Sequence, residues 1–367
     1  MKTPTRARQV VAALVAGLVM TLLTACAEDG GPDDGGADQD GFAVGLLLPS
    51  RELPRWEQSD KPLIEERLKQ LCPRCTLEYA NAGNDATRQR QQMLSMITEG
   101  VRVLILDAVD NKALRSSIQE ARETGVPVVA YDRLAQGPIS GYVSFDGEQV
   151  GRLQGEALLR AMGEKATGGT VVMLNGDPAS PNAAWYREGA LSVIEGKVTI
   201  GRSYDTRGWS TDSAHANMSA AIAALGPYRI EGVLAANDAI AAGAISALKR
   251  AGLRDLPPVT GQDADLEAVR RIVKGEQYMT VYKPFREQAA AAAGMAVALG
   301  RGEDVDDVAT TTIDSPTTRR IPSVLLTPSA VTVDTIERTL VEDGVYTVDQ
   351  ICTRKLRPAC AEAGLSP

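Results

Sequence analysis

The chain has 367 residues, 44% of them apolar, and a net charge of −8 at pH 7. The length suits two domains of ordinary size and the composition a globular protein. The acidic balance argues against recognition of nucleic acid through its phosphate backbone, and with aromatics at only 4% the place of each tryptophan carries weight.

Residues 1–25 read as an export signal of lipoprotein type. Lys2, Arg6 and Arg8 form a basic start, and 10–23 is an apolar run. The run is short for a membrane span, which takes about 20 apolar residues. Leu23-Thr24-Ala25-Cys26 then resembles a bacterial lipobox. That resemblance implies cleavage before Cys26 and a lipid on its thiol, which would anchor the mature chain on the outer face of the cell membrane. Residues 26–41 are a flexible acidic tether with nothing to bury.

From residue 42 onward, short apolar runs alternate with helix-like stretches. Strands are expected at 42–49, 76–81, 101–108 and 126–131, with helices at 59–71, 85–99 and 111–124 between them. A loop after the first strand carries Arg55 and Trp56. A second series follows a short strand at 142–145, with helix 148–162, strand 170–174, helix 183–195, strand 198–204 and helix 211–225. This alternation predicts βαβ units and parallel sheets. The expected class is α/β, with two doubly wound halves of similar layout. An Ala-rich helix at 286–299, a polar loop at 302–320 and a run at 323–328 come after them.

Between 232 and 284 three apolar runs end in polar groups: Asn237-Asp238, Gln262-Asp263 and Lys283. Open parallel sheets bind ligands outside the carboxyl ends of their strands. Amides, carboxylates and a lysine delivered there suit a ligand rich in hydroxyls, because each hydroxyl both donates and accepts.

The five cysteines divide into Cys26 and two close pairs, Cys72 with Cys75 and Cys352 with Cys360. Outside the membrane such pairs favour structural disulfides. A redox motif would need a thioredoxin-like unit, and zinc would need more ligands than a lone His215 far from both pairs. No metal and no cofactor is expected.

In seven places the residues resemble one family. These are L-P-R-W (53–56), A-Y-D-R (130–133), V-S-F-D-G-E-Q-V-G (143–151), A-N-D-A (236–239), G-Q-D-A-D-L (261–266), M-T-V-Y-K-P (279–284) and L-L-T-P (325–328). They match, in order, the periplasmic sugar-binding proteins of ABC importers, the xylose-binding branch most closely. The resemblance implies two α/β lobes joined by a three-segment hinge, with the sugar in the cleft between them. It divides the body into 42–145 plus 283–322 and 146–282 plus 323–367. It also implies a monomeric receptor that closes on a monosaccharide and delivers it to a membrane permease.

The same resemblance assigns the sugar site. Arg55 and Trp56 would donate to hydroxyls and cover an apolar sugar face, and Trp209 would stack on the other face. Asp132, Arg133, Asn182, Asn237, Asp263 and Lys283 would bind hydroxyls, with Asp238 serving only as a helix cap. Ser180 stands where the xylose-binding pattern has an acid, so the charge there is lost and hydrogen bonding is kept. Trp185, inside a helix, reads as packing. Asp263→Asn is expected to weaken binding with little change in the melting temperature of the empty protein.

Three other functions compete. A transcriptional regulator of this fold needs a helix-turn-helix and a basic face, and the chain offers an export signal and an acidic tether instead. A glycoside hydrolase needs two carboxylates facing each other across the ligand, for which Asp132 and Asp263 are the candidates. A receptor presenting sugar to a membrane sensor protein is compatible with the transport reading.

Overall fold

The computed structural model describes residues 41–365. The expected export signal, Cys26 and all of the expected tether except Gly41 lie outside them. Among the described residues no helix is long and apolar enough to cross a membrane.

The first half runs β1 (Ala43–Leu48), α1 (Lys61–Leu71), β2 (Thr76–Asn81), α2 (Ala86–Thr98), β3 (Val103–Leu106), α3 (Arg115–Glu123), β4 (Val128–Tyr131) and β5 (Gly141–Phe145). The second continues with α4 (Gly147–Met162), β6 (Thr170–Asn175), α5 (Pro181–Ile194), β7 (Thr199–Asp205), α6 (Thr211–Leu225), β8 (Gly232–Ala235), α7 (Asp238–Arg250), α8 (Leu266–Val273) and β9 (Met279–Tyr282). After these come α9 (Phe285–Arg301), β10 (Thr311–Ile313), β11 (Ile321–Leu326), β12 (Ser329–Thr332), and the short α10 (Val348–Ile351) and α11 (Arg357–Glu362).

Seven strands form one sheet in the order β10-β11-β5-β4-β3-β1-β2, parallel except for β10 against β11. The strands β3, β4 and β5 are buried throughout, as expected of parallel strands covered on both faces. Some helices start where short polar side chains supply caps. Asp85 accepts from the amides of Thr87 and Arg88 ahead of α2, and Asp146 from that of Gln149 ahead of α4.

The second sheet is assembled in pieces. β6 lies between β7 and β8, all parallel, and β9 pairs antiparallel with β12. Residues 258–263 join the two pieces. The Thr260 amide donates to the Val233 carbonyl at 3.1 Å, Tyr278 to Val259 at 3.0 Å and Asp263 to Val281 at 2.9 Å. This extended stretch brings Gln262 and Asp263 to a strand end, level with Asn237 after β8.

Three crossings link the sheets: after β5, between β9 and α9, and between β11 and β12. Helix α9 packs back on α1 and the first sheet. Three expectations change. β11 stays paired with β5 through Leu326, so the chain leaves the first sheet after that residue and not at 322/323. The polar stretch 302–320 is not all loop, because β10 extends the sheet edge there. Residues 56–60, expected to begin as loop, wind into a π-helical turn ahead of α1. Both disulfides form, with Cα separations of 5.3 Å for Cys72–Cys75 and 6.0 Å for Cys352–Cys360.

Candidate functional site

The strand ends of both sheets face a small cavity. Arg55, Trp56, Asp132, Arg133, Ser180, Asn182, Trp209, Asn237, Asp263 and Lys283 all line it, together with Leu53, Tyr186 and Gln262. The ten residues singled out in the sequence are thus brought together from both halves and from a crossing. Trp185 is not among them. It packs against Gly147, where an added Cβ would lie 3.0 Å from the Trp185 Cβ.

A buried ionic network spans the cavity wall. Arg55 holds Asp60 in a two-pronged pair, Nε to Oδ2 at 2.9 Å and Nη2 to Oδ1 at 2.7 Å. Its Nη2 also donates to Gln288 Oε1 at 2.9 Å and its Nη1 to Asp132 Oδ2 at 3.0 Å. Four of the five guanidinium N–H groups are therefore taken. One donor is left on Nη1, which lies 3.6 Å from Asp263 Oδ1 at the cavity wall. The guanidinium also sits 4.1 Å from the ring centres of both Trp56 and Phe285, so Arg55 covers one face of the Trp56 indole.

Lys283 pairs with Asp263 at 2.8 Å and lies 3.8 Å from Asp132. Burial would push the Asp132 carboxyl up, but Arg55, Lys283 and Arg133 outweigh it and hold it at about 2. Burial also works against the Lys283 ammonium, and Asp263, Tyr186 and Asp132 overcome it and raise its pKa. Arg133 donates to the Ala108 carbonyl at 3.0 Å and lies 3.4 Å from Asp107, whose carboxyl is pushed well up by burial. Asn182 crosses from α5 to donate to Asp132 Oδ1 at 3.0 Å.

The backbone is strained where it serves the cavity. Asp132, Trp209 and Asp263 have φ of +57°, +56° and +95°. Non-glycine residues persist there only when their surroundings over-determine them. For Trp209 those surroundings include Gly176, where a Cβ would lie 2.0 Å from the indole Cη2, and Asp177, which accepts from the Gly208 amide. Tyr186 meets the same indole edge-on at 6.2 Å.

Asn237 caps α7 through Oδ1, which accepts from the Ile240 amide at 2.9 Å, and its Nδ2 is left without a protein partner. The cap is therefore Asn237, and Asp238 has a different role. Leaving aside Asp263 Oδ1, which meets the Lys283 ammonium, five further buried atoms of lining residues make no hydrogen bond within the protein: Trp56 Nε1, Trp209 Nε1, Ser180 Oγ, Asn182 Oδ1 and Gln262 Oε1. Donors and acceptors are mixed among the six. Among the described residues no cluster of His, Cys, Asp or Glu is placed to hold a metal ion.

Sequence reading missed Asp60, Gln288, Tyr186, Gln262 as a lining group, and Gly176. Gln262 alone carried a signal, as an amide beside Asp263 at the end of an apolar run.

Residues 44–304 match the periplasmic binding protein domain. The D-xylose-binding periplasmic protein of Escherichia coli is 35% identical over 83% of this chain and 90% of its own. A multiple sugar-binding periplasmic receptor of Rhizobium radiobacter is 30% identical over 93% of this chain and 98% of its own. Among solved structures, an ABC transporter solute-binding protein of Clostridium phytofermentans with bound β-D-glucose superposes with a TM-score of 0.78. It is 29% identical and covers 84% of this chain and 99% of its own. The chain belongs to the periplasmic binding protein family, with its type I fold, and is a solute receptor rather than an enzyme.

Proposed function

We propose that this protein captures a neutral monosaccharide, a xylose-like aldopyranose, by closing its two halves on it, and delivers it to an ABC importer. The carrying observation is the set of six buried, unpartnered polar atoms on one small cavity. Each left unpaired costs about 1–3 kcal/mol, and ring hydroxyls satisfy donors and acceptors alike. Charge supports a neutral ligand: Arg55, Arg133 and Lys283 are matched by Asp60, Asp132 and Asp263. The names of the relatives favour aldoses. The pairing of Asp132 with Arg55 and of Asp263 with Lys283 speaks against a hydrolase, since both carboxylates are engaged.

A melting-shift panel tests this reading. A folded-state ligand at 100 times its dissociation constant adds about 2.7 kcal/mol. D-xylose, D-glucose or another neutral aldose is expected to raise the melting temperature by several degrees, while aldonates and sugar phosphates leave it in place. A shift confined to the anionic sugars would overturn the proposal. Trp209→Ala and Gly176→Val are each expected to weaken binding by about 1–3 kcal/mol, through loss of the apolar face. Unchanged affinity in both would detach Trp209 from the ligand. We further propose that Cys26 carries the lipid anchor, read by the intact mass of membrane-extracted protein; a chain uncleaved before Cys26 would refute it.

A further inference from the structure

Asp238 follows the cavity residue Asn237 but is buried in a network of its own. Its Oδ2 accepts from the Asp265 amide at 3.0 Å and the Thr280 hydroxyl at 2.9 Å, and its Oδ1 from Gln277 Nε2 at 2.8 Å. Thr280 Oγ1 in turn accepts from the Ala264 amide at 3.1 Å. The Asp238 amide donates to the Gln262 carbonyl at 3.0 Å, and Arg271 Nη2 donates to the Asp238 carbonyl at 3.0 Å. The fit is close, since a Cβ on Gly261 would lie 2.0 Å from Asp238 Oδ1.

These bonds converge on residues 262–265, where Asp263 and Ala264 have φ of +95° and +53°. Two consecutive non-glycine residues in that region need strong external restraint. The turn carries Gln262 Oε1 and the Asp263 carboxylate to the cavity. The geometry points to Asp238 as a positioning residue, whose carboxylate holds the strained turn that presents Gln262 and Asp263 to the ligand.

Titration follows from this role. Burial, with Asp263 adding to it and Arg271 opposing it, raises Asp238 to about 7, and burial together with Asp238 also raises Asp265. The other charged or titratable groups facing the pair are Tyr346 and Arg55, with Glu52 and Glu267 along the same groove. A protonated Asp238 loses one acceptor while its three donors remain. The turn then loosens, and affinity falls as the pH drops through that value.

The affinity part of the test rests on the sugar reading, whereas amide hydrogen exchange does not. In the ligand-free protein, Asp238→Asn and Thr280→Val are expected to speed exchange at the amides of 264 and 265 by at least about tenfold. Both variants should weaken D-xylose or D-glucose binding by at least about tenfold in calorimetry, and Thr280→Ser should restore both properties. Wild-type affinity should fall between about pH 8 and pH 5, and Asp238→Asn should flatten that profile. Unchanged exchange in folded variants, or unchanged affinity with an unchanged pH profile, overturns the assignment. A wild-type protein that binds neither sugar counts against the monosaccharide reading, and the exchange measurement still decides on Asp238.

Discussion

Arg55→Met is expected to lower the unfolding free energy by about 3–5 kcal/mol, the range for removing one partner of a buried ion pair. Asp60 is fully buried and has both carboxylate oxygens on Arg55, with the Tyr131 hydroxyl on Oδ1. Without the guanidinium, no ion pair to its charge remains among the described residues. Asp132 keeps Lys283 at 3.8 Å, so it is the lesser casualty. Methionine fills much of the volume between the Trp56 and Phe285 rings but lacks the cation that both faces attract. Adding Asp60→Asn to Arg55→Met should recover part of the loss, because the stranded charge goes with it. Chemical denaturation reads both, and a loss under about 1 kcal/mol in Arg55→Met would show that Asp60 is satisfied without Arg55.

The fold was legible because most of its strands are short apolar runs, and α2, α4 and α7 begin at Asp or Asn caps. The strands β1, β3, β4 and β6 and the helices around them fall where the pattern places them. Strand ends in parallel sheets meet ligands, so position alone marks the pairs Asn237-Asp238, Gln262-Asp263 and Asp132-Arg133, and the family resemblance picks Asn237 and Asp263 within theirs. What lies behind them is set by geometry that no local pattern encodes. Asp60 reaches Arg55 only because residues 56–60 take a π-helical turn, and Gln288 arrives from a helix 233 positions along the chain. Gly176 looks like any loop glycine until the Trp209 ring lies against it. The end of β11 was misplaced for a related reason. L-L-T-P marks the crossing, but pairing with β5 decides which sheet holds the strand.

Asp263→Asn tests the central claim most directly. The carboxylate lines the cavity, pairs with Lys283 at 2.8 Å and is held on a backbone of φ +95°. Two adjacent hydroxyls can share it as acceptor. Asparagine keeps the shape, turns one oxygen into a donor and leaves Lys283 with only the more distant Asp132. The melting temperature should therefore fall as well, contrary to the expectation from sequence, since the pair is buried and not an exposed ligand group. Affinity is best measured at a temperature where circular dichroism shows both proteins folded. Calorimetric titration with D-xylose and D-glucose should give one-to-one binding to the wild type by at least one of them. For Asp263→Asn the dissociation constant should rise at least about tenfold, or about 1.4 kcal/mol. Equal affinity in the two proteins, or no heat from the wild type with any common neutral aldose at millimolar concentration, would contradict the account.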